Sequence, residues 1–220
     1  MKEQGNPLQN VIADTERWVK EHLGQDSSGH DWWHIHRVRN MAVRLARETG
    51  CNEFVCEMAA LLHDIPDEKL TGDEQAGLKL VEDWLCTHGL DVDVIRHIML
   101  IISTMSFKGG GKPPAATPEG KAVQDADRLD AIGAVGIART FAYSGWKGQL
   151  MYDPDLPPRQ TMTAEQYRNE KSTAVNHFHE KLLKLAALMN TPQARRIAEE
   201  RHRYMLDFLK RFEQEWNGEA

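Results

Sequence analysis

The sequence predicts an all-α fold. Three observations carry that prediction. Apolar residues recur at three- and four-residue spacing along most of the chain. No stretch alternates with the two-residue period of a half-buried strand between hairpin turns. Helix-stopping glycines and a Thr-Pro start signal punctuate the periodic stretches at Gly24, Gly50, Gly89 and Thr191-Pro192.

The elements follow in order. Leu8, Val11, Ile12, Trp18 and Val19 make the apolar face of a first helix that stops near Gly24. A second carries Ile35, Val38, Ala42 and Leu45 and ends at Gly50. The third, FVCEMAALLHDI, is apolar nearly all round, which places it in the middle of a core. A fourth is expected from about Gly72 to His88 with Leu80, Val81, Trp84 and Leu85 inward, and a fifth from Val92 into Ile102. The glycines and prolines of FKGGGKPPAATPEG, residues 107–120, cannot continue a helix. A sixth helix is expected to run unbroken from near Glu119 through VQDADRLDAIGAVGIARTFAYSG. After the loop MYDPDLPPRQ, Thr163 and Gln166 form a capping-box pattern for a seventh helix carrying Tyr167 and Leu182 to Leu188. The last runs from Pro192 to about Trp216.

Composition narrows the class. With 220 residues, 41% of them apolar and 27% charged, the chain is long enough to bury a sizeable core and reads as one helical domain over 1–220. A net charge of −6 argues against a general nucleic-acid binder, which needs a basic face, but leaves room for a small anionic substrate. The three cysteines, Cys51, Cys56 and Cys86, have neither zinc-ribbon nor redox-pair spacing; Cys56 and Cys86 lie in apolar helical patterns and are expected to be buried and reduced. The N-terminus lacks the apolar core of a signal peptide and no apolar run reaches membrane-spanning length, so the expected location is cytoplasmic.

Ionisable groups inside apolar helices need a reason, because an unpaired buried charge is costly. His63 and Asp64 end the most apolar helix, and Asp125, Asp127 and Asp130 sit among Val123, Ala126, Leu129 and Ile132. His30 and His34 open the second helix one turn apart. Taken singly, each has a bland explanation as a cap, a satisfied core residue or a solvated face. The signal is the combination of a histidine opening one helix, His-Asp ending a buried one, and an aspartate inside a later apolar one.

That pattern, H…HD…D with His34, His63-Asp64 and Asp127, resembles the HD-domain phosphohydrolases. The strings HDWWHIHRV, LLHDI, SFKGG, VQDADRLDAIGAVGIAR and HFHEKLLKLAALMNT resemble the bacterial YpgQ/YedJ-like branch, over most of the chain from about Asp14 to Trp216. The resemblance implies a helical bundle with a metal-binding core over about 26–145 and a C-terminal helical extension over about 160–217. It also implies one divalent metal held by His34, His63, Asp64 and Asp127, and cleavage of phosphate esters or anhydrides. Two imidazoles with two carboxylates suit Mn²⁺, Mg²⁺ or Fe²⁺ better than a thiolate zinc site.

Asp67, one helical step past the doublet, reads equally as the proton acceptor beside Asp64 and as a helix-terminus or loop acid beside Pro66; several HD phosphohydrolases carry a glutamate at the corresponding place. Lys69, Lys108, Lys112 and Arg37 are candidates for gripping phosphate, Lys108 and Lys112 flanking three glycines. His177 and Lys181, four apart, are candidates for a further wall of the pocket, and Arg37 and Arg139 each read equally as a helper or as a helix-surface ion pair. Asp31, Asp125 and Asp130 are possible acceptors for the second nitrogens of ligand histidines. His97 is a candidate second-metal ligand, though a core or surface histidine is the preferred reading; His22, His88 and His202 read as surface residues.

The expected activity is hydrolysis of small phosphorylated metabolites, nucleoside triphosphates first among them, with release of pyrophosphate. The alternatives are a phosphodiesterase acting on a cyclic or signalling nucleotide and a non-catalytic nucleotide-binding regulatory module. The expected partners are a small phosphorylated substrate and a second copy of the chain, with neither nucleic acid nor membrane.

Overall fold

The computed structural model describes residues 6–23, 31–67, 72–105, 115–159 and 172–219, all helices and connecting turns with no strand among them. The helices are α1 Pro7–Leu23, α2 Trp32–Thr49, α3 Glu53–Leu62, α4 Glu74–Thr87, α5 Val92–Met105, α6 Pro118–Asp130 and α7 Gly133–Trp146. A helical run, α8, starts as Ala174–His177, widens into a π turn at Phe178–Leu182, returns to α over Leu183–Leu185 and closes in a 3-10 turn at Ala186–Leu188. The final helix is α9, Pro192–Trp216.

The chain forms two compact units whose division falls inside α6, between residues 126 and 127. In the first unit α3 is the central rod. Val55, Cys56, Met58 and every residue from Ala59 to Leu62 are buried, against Ile35, Val38, Ala42 and Leu45 from α2 and Ile98, Ile101 and Ile102 from α5. Local chemistry sets the ends of these helices. Asp31 caps α2 by accepting from the His34 N–H, Gly50 closes it at φ +72°, and Asn52 caps α3 through the Val55 N–H. Thr117 Oγ1 accepts from the Gly120 N–H, with Pro118 opening the first turn of α6. Trp18 of α1 stacks on Trp84 of α4 at 4.6 Å, and the Trp84 indole N–H donates to Thr15.

In the second unit Phe141, Phe178, Phe208 and Phe212 pack together, with Tyr152 and Trp216 at one side. Arg159 and Glu180 join through three hydrogen bonds of 2.7–3.0 Å, which tie the segment before α8 to its π turn. Two arginines of α9 satisfy carbonyls at helix ends: Arg201 donates to Leu129 of α6, and Arg195 to Met189 after α8.

Several expectations need correcting. The sixth predicted helix is two, α6 and α7, broken at Ala131–Ile132. Gly133 takes φ +78°, with Arg201 packed where a β-carbon would sit, and the Ala131 carbonyl occupies the equivalent space at Gly136. The apolar periodicity continues across this break, which is why the pattern hides it. Leu8 and Leu80 are 42% and 39% exposed rather than inward. Cys86 is exposed and Cys51 half-buried; only Cys56 is buried, and burial pushes its thiol pKa well up, away from reactivity. His88 and His202 are half-buried, not surface residues. The capping box at Thr163 and Gln166, with Tyr167, lies outside the described residues.

Candidate metal centre

α2, the turn after α3, and α6 carry the site. α2 opens with Asp31 as its cap, which places His34 in the first turn; Ile35 and Val38 then turn the helix so that His34 points inward, 3% exposed. α3 ends at Leu62, and His63 to Pro66 form a turn in which the Ile65 N–H donates to the Leu62 carbonyl and the Asp67 N–H to the Asp64 carbonyl. That turn holds the His-Asp pair directly at the end of the core rod.

His34, His63 and Asp127 each offer a ligand-type atom within 4.8 Å of the other two. Asp127 lies on α6 one position beyond Ala126, in the same unbroken helix as the buried Ala122 and Val123. Asp64 meets both imidazoles: its two oxygens lie 3.4 Å from His34 Nε2 and 3.4 Å from His63 Nε2. Both histidine side chains are almost fully buried, and Asp64 is 12% exposed at its side chain. The rings sit edge to face with centroids 5.4 Å apart.

The donor set suits a divalent cation. The Ala60 carbonyl lies 2.8 Å from His63 Nδ1, so that nitrogen holds the ring proton and donates it, leaving the lone pair on Nε2. Two imidazole nitrogens and carboxylate oxygens in a buried setting form a mixed N/O cage for a first-row or alkaline-earth divalent ion.

The other predicted residues distribute as follows. Arg37 is half-buried on α2, one turn beyond His34. Asp67 is half-buried just past the turn. Asp125 is wholly buried on α6, and Asp31 is engaged as the α2 cap. Asp130 pairs with Arg139 at 2.5 Å, which makes Arg139 an ion-pair partner. His97 Nε2 lies 3.1 Å from Thr117 Oγ1 and 3.5 Å from Glu119, tying α5 to the start of α6; His34, His63 and Asp127 are the metal-competent cluster among the described residues. His177 and Lys181 lie in the second unit, where burial first and the nearby Lys181 charge second push the His177 pKa down to about 4. Lys69, Lys108, Lys112 and His30 lie outside the described residues.

Sequence reasoning passed over Trp33, which is 62% exposed immediately before His34. The doubled tryptophan in HDWWHIHRV was the available signal, since only one of the pair fits the inward face of α2.

Residues 32–132 match the family model of the HD domain. The uncharacterised protein YpgQ of Bacillus subtilis is 40% identical over 203 residues, covering 91% of each chain. The chain belongs to the HD domain family. An HD-superfamily hydrolase from Bacillus thuringiensis has a solved structure similar to this one at a TM-score of 0.77 and 50% identity, covering 96% of this chain and 98% of that one. The solved structure of Bacillus subtilis YpgQ in complex with ADP is similar at a TM-score of 0.76 and 38% identity, over 95% of this chain and all of that one. The HD match ends at residue 132, at the break between α6 and α7, and so contains every residue of the His-Asp cluster. No helix among the described residues of this HD protein is long and apolar enough to cross a membrane.

Proposed function

We propose that this HD-superfamily hydrolase is a metal-dependent phosphohydrolase whose substrates are nucleoside triphosphates and whose products are a nucleoside monophosphate and pyrophosphate. The observation that supports it is the convergence of His34, His63 and Asp127, with the Asp64 carboxylate between the two imidazoles. The solved complex of the similar protein YpgQ with ADP supports a nucleotide as the ligand class.

His34, His63, Asp64 and Asp127 would hold one divalent ion, Mn²⁺, Mg²⁺ or Fe²⁺. When bound, such an ion supplies Lewis acidity toward a phosphoryl oxygen and makes water more acidic. The protein does the rest. The Ala60 carbonyl accepts the His63 Nδ1 proton, which turns Nε2 toward the site. Asp67, carried past the doublet by the turn after α3, accepts a proton from the attacking water. Arg37, one turn along α2 from His34, balances the charge of the phosphate chain. His177 and Lys181, with Lys69, Lys108 and Lys112, are the further groups assigned to the phosphates.

A metal-supplemented hydrolysis screen over nucleotides and other phosphometabolites, with product identification, tests this. The expected result is pyrophosphate released from nucleoside triphosphates, abolished by chelation and restored by added divalent metal. Turnover of cyclic nucleotides or simple phosphomonoesters with triphosphates untouched would overturn the substrate assignment.

A further inference from the structure

The two tryptophans that open α2 have opposite environments. Trp32 is 7% exposed, with the Lys20 ammonium 4.4 Å from its ring centroid. Trp33, the next residue, is 62% exposed, the most exposed tryptophan in the chain. Exposed apolar side chains are common singly, so exposure alone says little. Position is the second observation. Trp33 directly precedes the buried His34, and a T-shaped contact with His36, at 5.8 Å and 83° between planes, orients its indole.

The helix orders its neighbours. At about 100° per residue, Arg37 falls roughly 40° from Trp33 and roughly 60° from His34, on the arc between them. From the core outward, one face of α2 therefore presents a metal-competent imidazole, a guanidinium and an open indole. A nucleotide has the same order: phosphates with their metal, then sugar, then a flat base. Indole is the strongest stacking surface among the side chains, and base–aromatic stacking tolerates any base because every base has a π face.

We infer that Trp33 is the platform on which the nucleobase of the substrate stacks, making it the residue that distinguishes nucleotides from other polyphosphates. The inference rests on the nucleoside triphosphate reading above. Because Trp33 stacks without hydrogen-bonding the base edge, it confers preference for a base and little preference among bases.

The test compares Trp33→Ala and Trp33→Phe with wild type, using nucleoside triphosphates as substrates and inorganic tripolyphosphate as a competitive inhibitor that lacks a base. Trp33→Ala is expected to raise KM for nucleoside triphosphates about tenfold, which is ~1.4 kcal/mol. The Ki of tripolyphosphate, metal content and Tm should stay at wild-type values, and Trp33→Phe should keep most of the affinity. An unchanged KM in Trp33→Ala overturns the inference, and so does an equal loss for triphosphate and tripolyphosphate, which would place the ring's effect on the phosphates or the fold. A wild-type enzyme that hydrolyses other phosphometabolites but no nucleotide would overturn the substrate reading itself, an outcome visible before any variant is made.

Discussion

His63 donates from Nδ1 to the Ala60 carbonyl 2.8 Å away, one turn back on the same stretch of chain. The bond consumes a carbonyl that the end of α3 would otherwise leave unsatisfied, and it settles which nitrogen faces Asp64. One interaction thus ends the core helix and prepares a ligand.

Asp64→Ala and Asp127→Ala should each abolish hydrolysis and lower bound metal. Elemental analysis of the purified variants beside an activity assay is the check. A variant of either kind with full metal content and full turnover would remove that residue from the cage.

Asp67→Ala should retain metal but lose turnover by about 10²–10⁴-fold, the usual worth of a positioned proton acceptor. The loss should fall on kcat rather than on metal affinity. Metal loss in this variant would make Asp67 a ligand instead, and unchanged kinetics would exclude it from the site.

Gly133→Ala should destabilise the protein by ~1–2 kcal/mol, because a β-carbon at φ +78° is strained. For a chain of this size that is a fall in Tm of roughly 2–8 °C. The new carbon would also lie 2.9 Å from Arg201 Cγ, disturbing the arginine that caps Leu129. Gly145→Ala, where nothing lies within 4 Å and φ is not positive, serves as the control and should cost far less.

Acid should weaken the second unit through two groups. Burial holds His177 neutral in the fold, with its pKa down at about 4 from 6.5, so the unfolded chain takes up the proton first. Stability from this residue is complete above pH 6.5 and is lost as the pH falls toward about 4. Burial of Glu180 opposes its ionisation, but the hydrogen bonds and charge of Arg159 outweigh it and lower its pKa, so its contribution holds above about pH 4.5 and is lost below that. Urea unfolding from pH 4 to 7 should show His177→Gln flattening the fall between 6.5 and 4. Glu180→Gln should already be destabilised at pH 7, since it strands the Arg159 charge. A His177→Gln curve parallel to wild type would sink this account.

Legibility in the sequence tracked how local the cause was. The caps and stops at Gly50, Thr191-Pro192 and Gly89 act over a few residues, and the structure places them where the pattern does. The convergence of His34, His63 and Asp127 was suggested by residue type and by resemblance, because each disrupts an otherwise apolar helix. The α6–α7 break was hidden because apolar periodicity runs across it, so that Gly133, whose φ of +78° permits the break, reads no differently from Gly136 inside α7. An ion pair was one of the two readings open for Arg139, but its partner Asp130 was not legible, since nine residues separate the two and the turn that brings them together is that same break.

The π turn at Phe178–Leu182 has a consequence for how this gene can change in length. A single codon lost from an ordinary helix such as α9 rotates every later side chain by roughly 100° and scrambles its buried face. A π turn is a helix that already holds one surplus residue between flanks that remain in phase. His179 is exposed and sits within that surplus, beside Phe178 and Glu180, which are buried. Loss of His179 would tighten α8 to a plain α-helix while Val175 on one side and Leu185 on the other kept their inward settings, so α8 can shorten by one residue without refolding the unit around it.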